Sequence, residues 1–283
     1  MILVTGSTGT FGSSVAKELQ KQKKSFKAAA QTIEKVTQYF GDDVQGAAFT
    51  WDDPESFDNL LKDVTVAFII SPSASTTFHN EFAALLEKAK TSGVEFIVLA
   101  TVFGADANKD GAHYLAEELL KKSGIPYAIV RPNFIFQNFI NYDLGAVKSG
   151  TIYLPSGDGK TSYVDVRDVA SVIVEVLNNT DNHVSKTYTI TGSEAIDHMT
   201  AASIFTEVLG REIKNINPSE EDYKNTLKSY NLPESTINFM AMLYSYIKAG
   251  YFAAVTSDFE SLMKRQQILF KDFVEDYKDI FNG

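Results

Sequence analysis

The chain has 283 residues, 44% hydrophobic and 22% charged, enough for one large domain or two closely joined ones with a core that needs no staples. It has no cysteine, which excludes disulfide frameworks, thiolate metal sites and a cysteine nucleophile and points to the cytoplasm. A formal charge of −10 argues against nucleic acid as a partner, and no run reaches the roughly 20 apolar residues of a membrane span, so neither partner is expected.

Short apolar runs alternating with segments of helical period predict an α/β fold built on a doubly wound parallel sheet. Strands are expected at 2–5, 26–30, 47–50, 66–70, 96–100 and 127–130, with a seventh at 187–191. Each is almost unbroken in apolar character, as strands covered on both faces should be. Between them Phe78, Phe82, Leu85, Leu86 and Ala89, and then Leu115, Leu119 and Leu120, recur at spacings of 3 and 4 and predict amphipathic helices. Ser92-Gly93 and Ser123-Gly124 stop those helices ahead of the next strand. Beyond residue 192 the pattern turns helical, with helices expected at 199–209, 220–230, 235–249 and 270–281 and little strand character.

The first strand runs directly into Gly6-Ser7-Thr8-Gly9-Thr10-Phe11-Gly12 and an apolar helix that includes Val15 and Leu19. A tight strand-to-helix turn needs Gly6, close approach of backbone to a pyrophosphate needs Gly9, and close helix–strand packing needs Gly12. Gly6, Thr8, Gly9, Thr10, Phe11 and Gly12 are therefore expected to bind an adenine dinucleotide; the Gly-Lys-Ser/Thr of a Walker loop is absent. The second strand ends in Ala30-Gln31-Thr32, with Lys35 close by. No acid at that strand end claims a ribose 2′-hydroxyl or repels a 2′-phosphate, and no arginine grips one. This favours NADP(H), with NAD(H) as the alternative, and Gln31, Thr32 and Lys35 as ribose-end residues. The organisation expected is a Rossmann-type dinucleotide-binding domain over 1–192, with short insertions at about 133–165, and a mainly helical subdomain over 193–283.

Further motifs sharpen this reading. They are His113-Tyr114-Leu115-Ala116-Glu117 before Ser123-Gly124-Ile125-Pro126-Tyr127, Val130-Arg131-Pro132-Asn133-Phe134 with Gln137-Asn138-Phe139, and Gly157-Asp158-Gly159 before Tyr163 to Ala170. With the glycine turn, these make the chain resemble the NmrA-like, atypical short-chain dehydrogenase/reductase family, which includes bacterial quinone and triphenylmethane-dye reductases. The resemblance implies NAD(P) at the C-terminal edge of the sheet, with Ser71, Pro132 and Asn133 among the cofactor residues, and a small-molecule substrate between that edge and the helical subdomain. The sequence departs from the family at Gln31, where an arginine is frequent, and at Thr50-Trp51, where Asp-Tyr or Asp-Phe is frequent.

The Tyr-x-x-x-Lys dyad of typical short-chain dehydrogenases is missing, since its positions fall on Lys109 and His113. Tyr244 and Lys248 have the spacing but lie in the helical region and read as packing plus a solvated lysine. His113 is the titratable candidate, with Glu117 one helical turn later placed to orient the ring, and Thr101 past the fifth strand is a candidate contacting hydroxyl. Asp168 reads as a helix-starting acid rather than half of a catalytic pair with Asp165. The four histidines show no metal-ligand spacing, so no metal is expected. Phe134, Phe136, Phe139 and Tyr142 form an aromatic-rich segment suited to a planar aromatic or quinone substrate. The leading expectation is an NAD(P)H-dependent reductase of such acceptors. The alternative is an NAD(P)-sensing regulator with little catalysis and a protein partner. A nucleotide-sugar epimerase or dehydratase is disfavoured, because it would need the tyrosine.

Overall fold

The computed structural model describes residues 1–72 and 75–283, and the chain divides into two compact units. Unit 1 comprises 1–132, 166–190 and 261–263; unit 2 comprises 133–165, 191–260 and 264–283. The segment 133–165 thus groups with the second unit.

Among the described residues nine strands occur in chain order: β1 Ile2–Val4, β2 Phe26–Ala30, β3 Gln45–Ala48, β4 Val66–Ile70, β5 Phe96–Ala100, β6 Tyr127–Pro132, β7 Thr151–Tyr153, β8 Lys186–Ile190 and β9 Lys214–Ile216. Unit 1 holds a seven-stranded parallel sheet in the order β3-β2-β1-β4-β5-β6-β8. The winding reverses at β1, where Ile2 pairs with Phe26 of β2 on one side and Val66 of β4 on the other. In doubly wound sheets that reversal opens a crevice at the strands' carboxyl ends.

The inner strands are apolar throughout because both faces are covered. On one face Phe57, Phe78, Phe82, Leu85 and Leu120 form the core with Leu3, Ile69 and Leu99. Helices Thr10–Lys21 and Val166–Asn178 pack together and bury Val15, Leu19, Val169, Val172 and Val176. The third strand begins two residues earlier than 47–50: it is an edge strand, so Gln45 and Gly46 serve, paired with Lys27 and Ala28. Its apolar continuation, Phe49, bonds to Ala30 O and turns inward.

Unit 2 is helical around an aromatic core of Phe139, Phe205, Phe270, Phe273 and Phe281. Its helices include His198–Leu209, Glu220–Ser229 and Glu234–Lys248. Asp197 and Ser219 cap the first two by accepting from the N–H of Thr200 and Asp222. The helix expected over 270–281 breaks at Tyr277 into Phe270–Asp276 and Lys278–Asn282, and Phe281 turns onto Phe205 with ring centres 4.9 Å apart. β7 and β9 pair in parallel here, three residues each, too short for a period of two to stand out in sequence. No helix among the described residues is long and apolar enough to cross a membrane.

A lysine is sunk in the sheet of unit 1. Lys27 on β2 is buried, and its Nζ donates to the carbonyls of Asn59 (3.2 Å), Leu60 (3.4 Å) and Lys62. These lie at the C-terminal end of helix Ser56–Leu61, where a helix leaves carbonyls without internal partners. Lys27→Met should fold but lose about 1–3 kcal/mol in urea unfolding, the cost of leaving buried acceptors unsatisfied. An unchanged unfolding midpoint would show that these carbonyls do not depend on the lysine.

Candidate functional site

The glycine turn is shaped by what it has no room for. Gly6 has φ +57°, and a Cβ there would come 2.8 Å from Ile70 Cγ2. A Cβ on Gly12 would stand 2.2 Å from Gly6 O and 2.8 Å from Thr5 O, so the helix can lie this close to the strand only without a side chain at position 12. Ser7 stitches the turn to β2, its N–H and Oγ both donating to Ala29 O at 3.0 and 2.9 Å. Gly9 is the N-cap of helix Thr10–Lys21, and no side chain caps it. The helix therefore presents backbone N–H groups and its positive dipole end to an anion. Gly6 and Gly9 are exposed; Thr8, Thr10 and Phe11 are half-buried around them. A pyrophosphate fits this cradle, and the residues that would hold it are those of the turn.

At the end of β2, Thr32 caps helix Ile33–Phe40 by accepting from the Lys35 N–H at 3.3 Å. The Lys35 ammonium donates to Gln31 Oε1 at 2.8 Å, which places a cation beside the carboxyl end of β2. Glu34 shares that first turn, but its carboxylate is drawn back onto its own N–H and the Thr32 hydroxyl, and these bonds hold it below the ordinary glutamate range.

His113 is half-buried in the first turn of helix Ala112–Lys122, and its Nδ1 lies 2.8 Å from Ser71 Oγ, just past β4. Sequence spacing suggested Glu117 as the group that orients this ring and Thr101 as a contacting hydroxyl. The structure gives both another task. Glu117 is wholly buried, Thr101 Oγ1 donates to its Oε1 at 2.8 Å, and Arg131 grips both carboxylate oxygens through Nε (2.9 Å) and Nη2 (2.6 Å). The remaining fork of Arg131 donates to Asp106 at 2.7 Å. A buried guanidinium requires such partners, and it outcompetes the imidazole for the carboxylate. The serine bond to His113 and the role of Asp106 had no local sequence signal. The Arg131–Glu117 pair did: an arginine within Ala128-Ile129-Val130-Arg131 demands a buried acid.

Pro132 ends β6, where its carbonyl accepts from Phe103 N at 2.9 Å. In unit 2 the Asn133 amide is already engaged, donating to Ser162 Oγ (2.8 Å) and Phe252 O (3.0 Å) and accepting from Phe134 N (2.9 Å). It is thus built into the fold, whereas a cofactor contact was expected. Phe136 and Phe139 are corrected likewise. Both are buried core residues, with Phe139 packed on Phe205 and Phe270 at 5.5 and 5.1 Å, because a helical spacing of apolar rings serves a core first. Phe134 is half-buried, edge-on to Phe252, and Tyr142 is 71% exposed.

Unit 2 also gathers a chain of titratable groups drawn from distant segments. Ser156 Oγ lies 2.6 Å from His198 Nδ1, and Tyr163 OH 2.9 Å from His198 Nε2. Burial lowers His198 to about 4, so the ring is neutral at pH 7. Burial also raises the Asp143 carboxyl to about 7, and the Asp143 charge adds to burial in pushing up the phenols of Tyr163, Tyr223 and Tyr244. Tyr244 hydrogen-bonds Tyr223 and is held well above its ordinary range, the reverse of a lysine-activated phenol.

The NmrA-like family model matches residues 1–273, and the chain belongs to that family. It is 30% identical over 287 residues to an NAD(P)H azoreductase of Xenophilus azovorans, covering 100% of both chains. It is 27% identical to quinone oxidoreductase 2 of Escherichia coli, over 85% of this chain and 86% of that one. The fold matches that of the triphenylmethane reductase of Citrobacter sp. solved with NADP(H), with a TM-score of 0.88 and 24% identity over 98% of this chain and 99% of the other.

Two outcomes follow from this geometry. NADPH should raise the thermal midpoint by mass action, and Gly9→Val, whose branched side chain would fill the phosphate approach, should abolish the shift. Full affinity in that variant would remove the phosphate-turn assignment. The second concerns pH. Asp143 titrates near 4 when unfolded and at about 7 when folded, so its contribution to stability falls as pH rises through that window. His198 titrates near 6.5 when unfolded and at about 4 when folded, so its contribution falls as pH drops. The two slopes oppose each other between about pH 4 and 6.5. Relative to wild type, Asp143→Asn should lose stability on acidification from about pH 6 to 5, at roughly 1.4 kcal/mol per pH unit, and His198→Gln should gain it at a similar rate. Parallel stability curves for all three proteins in urea titrations would contradict this.

Proposed function

We propose that this member of the NmrA-like family, an NAD(P)H-dependent reductase, passes hydride to a planar, electron-poor acceptor: a quinone or a conjugated aromatic compound such as an azo dye. It binds NADP(H) at the turn 6–12, with the Lys35 ammonium beside Gln31 on the side of the 2′-phosphate. When bound, the nicotinamide supplies the hydride. What carries the reading is the pairing of an uncapped helix start, held close to β1 by glycines at 6 and 12, at the switch point with a half-buried histidine on Ser71, where the Tyr-Lys dyad is missing. The names of the azoreductase and quinone-reductase relatives support the acceptor class. His113 is the group in unit 1 suited to give the proton that a reduced quinone oxygen needs, whereas a conjugated cation accepts hydride without one.

NADPH oxidation measured against quinones, azo compounds and cationic dyes tests this directly. His113→Ala should lower kcat by about 10²-fold with a quinone and by less than about tenfold with a cationic acceptor. Clear NADPH binding with no turnover on any acceptor would favour the alternative, a cofactor-sensing regulator that holds a protein partner.

A further inference from the structure

We infer that Arg131 is a positioning residue for His113, acting through Glu117 on the histidine's own helix and through Asp106 in the loop that leads to it. The inference rests on the reading of His113 given above. Four segments of unit 1 meet at the Arg131–Glu117 pair: the short 3-10 helix Ala105–Ala107 through Asp106 on the guanidinium, the end of β5 through Thr101 on the Glu117 carboxylate, helix Ala112–Lys122 through Glu117, and β6, which carries Arg131 itself. The connection 101–111 is tied to β6 at its start by Thr101 N to Val130 O (3.0 Å) and Phe103 N to Pro132 O (2.9 Å). Asp106 ties its middle to the same strand, and Gly111 then opens the helix two residues before His113. Glu117, one turn beyond the histidine, clamps that helix to the sheet. Loop and helix are therefore referenced to one planar, rigid group, and the distance between His113 and Ser71 depends on both.

The two carboxylates differ in a way that separates structure from positioning. Glu117 is wholly buried, so removing its charge strands the guanidinium and endangers the fold. The Asp106 side chain is 60% exposed, and its loss leaves the Arg131–Glu117 pair intact. An exposed ion pair adds little to stability, so an effect of Asp106 on turnover would not be an effect on folding.

The test uses Asp106→Asn and Asp106→Glu in the full chain. Asp106→Asn should keep the thermal midpoint and NADPH affinity of the wild type, lower kcat for a quinone about tenfold with little change in KM, and move the NMR titration of the His113 ring. Asp106→Glu should restore much of both. Wild-type kcat and an unmoved His113 titration in Asp106→Asn would overturn the inference, as would a loss of activity that merely follows a lower midpoint. Should His113→Ala leave quinone turnover intact, the reading of His113 as proton donor fails. The NMR comparison still decides whether Arg131 holds the ring.

Discussion

Position 12 has no space for a side chain, and the whole junction of β1 with the helix after it depends on that close approach. Because helix Thr10–Lys21 lies against the backbone of Thr5 and Gly6, its N-terminus opens where β1 ends and the sheet's winding reverses. The same approach sets Val15 and Leu19 into the core and brings the helix onto Val166–Asn178. Packing and the opening of an uncapped helix N-terminus are here two results of one steric condition.

Polar groups inside both units follow a common logic. A charged or polar group removed from water needs its hydrogen-bonding capacity filled, and three buried side chains show how. Lys27 takes carbonyls from a helix end, Arg131 takes two carboxylates, and His198 takes a serine and a tyrosine. Asp143 stands apart: burial keeps it protonated to about neutral pH, which avoids a buried charge among phenols. Such arrangements specify which segments meet as much as they stabilise the meeting.

Legibility in the sequence tracks the range of the interaction. The inner strands could be read because burial on both faces leaves continuous apolar runs, and the turn because three glycines obey a local steric rule. Boundaries failed where tertiary pairing extended or shortened an element, as at β3 and at the break on Tyr277. The site was read less well. Spacing of four residues says that His113 and Glu117 share a helix face, but it cannot say that the face is turned to a guanidinium from another strand. Likewise Phe136 and Phe139 have the composition of a ligand wall and the spacing of a core, and here burial decides. The group around Asp143 draws on residues 143, 156, 163, 198, 223 and 244, and no local pattern joins them.

The interleaving of the two units has a consequence for synthesis. The seventh strand of the sheet, β8, and the helix Val166–Asn178 that covers one face follow a segment belonging to unit 2. During translation the sheet is left with β6 as a bare edge until that stretch has passed, and an unpaired apolar edge is a site of misassociation. Unit 2 in turn waits for residues past 264 to supply Phe270, Phe273 and Phe281. Neither unit can be excised by a single cut, and residues 264–283 help complete the aromatic core of unit 2.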